Sequence, residues 1–170
     1  MKTLKQHIFE KLKVSKNPYT LFPKTTEELK HMIEDEISKN GNRCSLNHID
    51  VSRITDMSSL FFNSSFNGDI SDWDVSNVKS MERMFEKSKF NGDISDWDVS
   101  NVKYMGNMFE YSKFNGDISK WDVSSVIAMR FMFAHSQLTG DISGWDVSTV
   151  KDTYCIFDHS PLQITPPKWY

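Results

Sequence analysis

At 170 residues, 38% of them hydrophobic and 25% charged, the chain has room for one ordinary domain or one elongated stack, and enough apolar content to fold it. No run approaches the ~18 apolar residues of a bilayer span. No secretory-type apolar run of roughly 7–15 residues follows Lys2 and Lys5, so a cytoplasmic location without membrane contact is expected. The net charge of -3 is uneven: residues 1–24 hold six Lys against Glu10, which is +5 and leaves -8 for the rest. An acidic body argues against nucleic acid as the main partner, because phosphate binding rests on counterion release by Lys and Arg.

Residues 1–17 read as a basic amphipathic leader, with Leu4, Ile8 and Leu12 marking a short helix over 3–13. The segment Ser15–Pro23 reads as a linker. Thr25-Thr26-Glu27-Glu28 reads as a capping box that opens a helix. Leu29, Met32, Ile33 and Ile37 supply that helix's apolar face and Gly41 ends it, so residues 18–43 are a linker and an N-terminal capping helix.

Residues 44–163 are a repeat array. Aspartate recurs every 24 residues at Asp50, Asp74, Asp98, Asp122 and Asp146, and tryptophan does so at Trp73, Trp97, Trp121, Trp145 and Trp169. Glycine follows the same step at Gly68, Gly92, Gly116 and Gly140. A lone unit cannot bury its own apolar face, so the five copies must stack. In ISDWDVSNV, the apolar residues Ile70, Trp73, Val75 and Val78 have leucine-rich-repeat spacing, with a short strand facing inward. Val78, Met81, Met84 and Phe85 then step by three and four, as on a helix, with Ser76 or Asn77 at its N-cap. Asn91-Gly92 makes the turn to the next strand. The fifth unit decays into residues 164–170, a C-terminal cap whose Pro166 and Pro167 cannot donate to another strand.

The string FNGDISDWDVSNVKSMERMF resembles the BspA-like repeat family of bacterial surface proteins and mycoplasma lipoproteins, and the match covers residues 44–163. That resemblance implies an α/β fold: a leucine-rich-repeat-like right-handed solenoid of five 24-residue strand–helix units with an N-terminal helical cap. It also implies adhesion or protein binding. The chain departs from many members in showing no signal peptide or lipid anchor, and its unit is slightly shorter than some variants. The leader MKTLKQHIFEKLKVSKN resembles a basic tag on proteins of Bacteroides phages, which implies a phage or gut-bacterial origin.

The Asp50–Asp146 column sets like charges ~5 Å apart, so something must compensate them. Turn or cap amides, a basic partner, or calcium would serve. A second column, Asp69, Asp93, Asp117 and Asp141, needs the same treatment. The tryptophans are expected as core spacers; a carbohydrate platform would require them exposed. The methionines Met57, Met81, Met105 and Met129 are expected in the core. Positions that differ between copies carry more information. Units three and four place Tyr104, Tyr111, Ile127, Phe131 and His135 where units one and two are polar, which marks a partner hot spot unless Phe131 and Ile127 pack on a neighbouring helix. His135 and His159 are stacked equivalents, with no Cys or carboxylate read as completing a zinc site, so neither metal nor cofactor is expected. Cys44 and Cys155 lie too far apart in a stack to bridge. There is no nucleophile–base order and no phosphate loop. The expected function is a monomeric, non-enzymatic module binding a protein through Tyr104, Tyr111, Ile127, Phe131 and His135 together with Asp74, Asp98 and Asp122. The alternative is a structural or packaged phage-particle component, or a surface adhesin-type protein.

Overall fold

A computed structural model describes residues 18–170; the leader, its expected helix and its resemblance to phage proteins lie outside the described residues. Helix α1 spans Thr26–Asn40. Thr25 caps it, its hydroxyl accepting the Glu28 N–H at 3.1 Å, while the Glu28 carboxylate takes the Lys24 N–H at 2.7 Å. Gly41, at φ 83°, ends it by donating its N–H to the Ile37 carbonyl. Leu29 and Ile33 are buried, with Met32 and Ile37 packed beside them, so α1 closes one end of the core. The Thr26 hydroxyl ties the helix to the first unit through the Asp56 carbonyl. The expected linker joins the stack as well: Leu21 bridges Ile49 in parallel, and Asp50 N–H donates to Leu21.

Beyond α1 the chain winds in 24-residue coils with almost no regular secondary structure. The other helix among the described residues is the short α2, Pro161–Ile164. Backbone pairing registers as isolated parallel bridges, one column of which runs Asp56, Ser80, Tyr104, Ala128, Asp152. The expected strand is replaced by two turns, in which Trp73 N–H reaches the Ile70 carbonyl at 3.2 Å and Val78 N–H the Val75 carbonyl at 2.9 Å. Asn77 caps no helix; its side chain donates to Ser52 of the preceding unit.

The expected helix is replaced by a chain of turns whose N–H groups alternate between two destinations. Met84, Glu86 and Ser88 close turns on Met81, Arg83 and Phe85. Met81, Arg83, Phe85 and Lys87 instead donate to Tyr104, Gly106, Met108 and Glu110 of the next unit, at 2.8–2.9 Å. Arg83 and Lys87, third in their turns, have φ of 59° and 58°, the backbone sign of a type II turn. All four unit–unit junctions repeat these bonds.

Spacing explains why the helix loses. Equivalent phenylalanines Phe61, Phe85, Phe109, Phe133 and Phe157 lie 5.5–5.9 Å apart, nearly parallel. Packed helices need ~8–10 Å between axes. A helix in every unit would push neighbours apart and forfeit both the inter-unit bonds and the ring contacts. The chain is therefore not an α/β leucine-rich-repeat solenoid of strand–helix units, which corrects the expected fold class.

The interior is a set of aligned columns. Trp73, Trp97, Trp121 and Trp145 are 3–4% exposed, so they are core residues and no carbohydrate platform. Each indole N–H reaches back to a carbonyl of the preceding unit, at Leu46, Ile70, Ile94 and Ile118, over 3.0–3.2 Å. The methionine column is buried too. Asn67, Asn91 and Asn115 form a side-chain ladder, each amide oxygen accepting an N–H one unit on, at 2.7–2.8 Å. At the C-terminal end, Leu162 of α2 is buried, and Trp169 and Tyr170 lie against Phe157.

Gly68 sits where coils approach most closely: a Cβ there would lie 2.0 Å from the Cys44 carbonyl oxygen, whereas one at Gly140 would meet nothing nearer than 3.8 Å. Gly68→Ala is expected to cost about 1–3 kcal/mol or more of unfolding free energy. Gly140→Ala should leave it unchanged or raise it by less than about 1 kcal/mol. Urea titration followed by tryptophan fluorescence would decide, and equal effects would disprove the close approach.

Candidate functional site: an aromatic stripe along the coils

The turn chain that replaces the helix also decides which side chains face solvent. In alternate turns of the chain the third residue has positive φ, which costs an L-residue roughly 1–2 kcal/mol. The inter-unit bonds on either side offset that cost. One column built this way is Asn63, Lys87, Tyr111, His135 and His159, all with φ of 52–58°. A second is Ser59, Arg83, Asn107, Phe131 and Cys155, at 50–59°. Because the backbone geometry repeats, the side chains leave the surface in parallel.

They consequently stack. The Tyr111 and His135 rings are 4.2 Å apart and 5° from parallel, and His135 and His159 are 4.6 Å apart at 10°. Lys87 places its ammonium 5.9 Å above Tyr111 and 5.7 Å above Phe62, and the Arg83 guanidinium lies 4.9 Å above Phe62. Phe62, Lys87, Tyr111, His135 and His159 thus form one stripe running through all five units. Phe131 meets Tyr154 edge to face at 5.3 Å, broadening it at units four and five. Tyr111 is 48% exposed and Tyr154 67%.

Carboxylates line the stripe's edge. Glu86 is nearly buried and holds both cations, Arg83 Nε at 2.7 Å and Lys87 Nζ at 3.4 Å. Glu110 repeats the motif, accepting from Asn107 at 2.6 Å. In the last unit the same register holds Asp158, whose Oδ1 is 2.9 Å from His159 Nδ1. His135, Asp158 and His159 each offer a ligand atom, and these atoms lie within 4.8 Å of one another. The expectation that no carboxylate accompanies the two histidines is corrected by this arrangement.

Of the residues singled out from the sequence, Tyr111 and His135 come together in the stripe and Phe131 joins it through Tyr154. Tyr104 is exposed in the bridge column without a ring partner among the described residues. Ile127 is half-buried and spends its backbone on Lys103 and Lys151. Among the described residues no helix stands beside Phe131 or Ile127 to cover them. Phe62, Tyr154 and Asp158 escaped sequence reasoning, in which Lys87 reads only as the polar equivalent of Tyr111. Period-24 alignment places Asp158 in the register of Glu86 and Glu110, but it sets Lys87 between Asn63 and Tyr111 and leaves Phe62 one residue off that column.

Asp74, Asp98 and Asp122 serve turns. Each Oδ1 accepts both the N–H and the hydroxyl of the serine two residues on, Ser76, Ser100 or Ser124, at 2.6–3.1 Å. Asp50 does the same with Ser52. Turn amides are thus the compensation the column required. The Ser124 hydroxyl, then its N–H, holds the Asp122 carboxyl below the usual range, and Ser148 does so for Asp146. In the second column, Asp69, Asp93, Asp117 and Asp141 are lowered chiefly by the backbone N–H of the following serine. Cys44 and Cys155 are both free thiols.

Fold and surface define a class: a tandem-repeat protein of stacked turn-built coils with an ordered ring stripe. The chain belongs to the family described as Mycoplasma protein of unknown function, DUF285, whose model matches residues 27–136 and 110–163. No curated protein and no solved structure matches it significantly. The family match, and backbone pairing limited to isolated bridges among the described residues, correct the resemblance to BspA-like leucine-rich repeats.

The lowered carboxylates predict acid sensitivity. A carboxyl depressed in the folded state stabilises the fold above its unfolded value near 3.9, and that contribution is lost as pH falls through the folded value. Stability is therefore expected to drop from about pH 4 downward. Ser124→Ala should raise the Asp122 pKa, read by carboxyl NMR titration; an unmoved titration would refute the hydroxyl's role.

Proposed function

We propose that this chain is a non-enzymatic protein-binding module whose contact surface is the stripe from Phe62 to His159 with Phe131 and Tyr154 beside it. The supporting observation is that exposed rings and cations stand in register on a ladder that fixes their spacing. Tyrosine and arginine are the side chains that dominate protein interfaces, because they offer large contact area with few torsions to freeze. Here the freezing is already done by stacking, so association would cost less side-chain entropy. The Asp74, Asp98 and Asp122 row is exposed as well, but one oxygen of each is committed to a turn.

Other copies supply tolerated residues for the test. Tyr111→Asn installs the residue that unit one carries at that register, Asn63, and Tyr154→Ser installs Ser58. A partner recovered from the native host by affinity purification, then purified and titrated, should bind the double variant at least about tenfold more weakly than wild type, as for removal of a hot spot. Asp74→Asn should have a smaller effect. Equal affinity for wild type and double variant, with both folded by circular dichroism, would end this reading.

A further inference from the structure

We infer that His135, Asp158 and His159 form a binding site for a divalent late transition metal ion, with zinc as the test case. Two imidazoles and one carboxylate are the donor set that suits zinc, copper or nickel; magnesium and calcium prefer oxygen ligands alone. The site shares His135 and His159 with the proposed contact stripe but does not rest on the protein-binding reading, because it needs only these three side chains.

The repeat builds the site. A step of one unit places His159 directly over His135, and the residue before it, Asp158, occupies the register of Ala134. The backbone beneath is held on several sides. His135 N–H donates to the Asp158 carbonyl at 2.7 Å, Asp158 N–H to Cys155 at 3.2 Å, and His159 N–H to Gln163 Oε1 at 3.0 Å. Tyr111 lies flat on the other face of His135 and limits the plane its ring can take. These contacts fix the backbone that carries the three side chains and one of the two ring planes.

The ligand atoms now lie within 4.8 Å of one another. Around a tetrahedral zinc, with bonds of about 2.0–2.2 Å, such atoms are roughly 3.3–3.5 Å apart. The tips must therefore close by about 1 Å or a little more. A metal ion lies in the plane of each imidazole that binds it, and the two rings are now 10° from parallel, so one must swing out of the stack. His159, whose side chain is 69% exposed, is the ring free to do so. The remaining coordination positions would face solvent and take water.

The full chain titrated with zinc chloride in a calorimeter is expected to bind one ion saturably, with magnesium chloride giving no binding. Asp158→Ala, which copies Ala134, and the pair His135→Asn with His159→Asn, which copies Asn63, should each weaken zinc binding at least about tenfold without changing the metal-free melting temperature. The control His48→Asn removes the histidine 3.3 Å from Glu36 and should leave binding intact. No saturable binding, binding that survives the double histidine change, or binding lost in His48→Asn would each overturn the proposal.

Discussion

The structure depends on how each coil divides its backbone N–H groups. Along the segment after each bridge, alternate groups close three-residue-back turns, and those between them cross to the next unit. Neither set suffices alone. Turns without a neighbour would leave every second donor to water, and cross-unit bonds without turns would leave a chain too loose to hold them. Coupling the two forces adjacent units into one register and one spacing.

That spacing is then imposed on everything else. Phenylalanine rings repeat at 5.5–5.9 Å, close enough for direct ring contact and too close for a helix per unit. Indole N–H groups find carbonyls one coil back, so a bulky core residue also satisfies a buried acceptor. Glycine is required where coils nearly touch, at Gly68 most of all. The aspartates stacked along the array tolerate one another because each anion is stabilised locally by hydrogen bonds from a serine hydroxyl and amide.

The same device makes the surface. A turn that places its third residue at positive φ is strained for a large side chain, yet the cross-unit bonds on both sides hold it there. The residue type at those positions is left free by packing, which is why they read Asn, Lys, Tyr, His, His in one column and Ser, Arg, Asn, Phe, Cys in the other. Variation among copies is concentrated where the scaffold makes no demand. The stripe and the histidine–aspartate group both arise from that freedom combined with enforced register.

By itself the sequence determined the period, the inward Trp, Phe and Met columns, the helix behind the Thr25 cap, and the use of aspartate in turns, because each follows from local chemistry repeated at a fixed step. It also pointed to Tyr111, His135 and Phe131 through their departure from the repeat. It could not separate helix from turn chain over Val78–Phe85, since steps of three and four apolar residues suit both when the segment is short. That choice belongs to the distance between neighbouring coils, a property of the assembled stack. Tertiary structure likewise brought Asp158 to the histidines and Phe62 and Tyr154 to the stripe, because those meetings need a unit's worth of chain to return to within about 5 Å of itself.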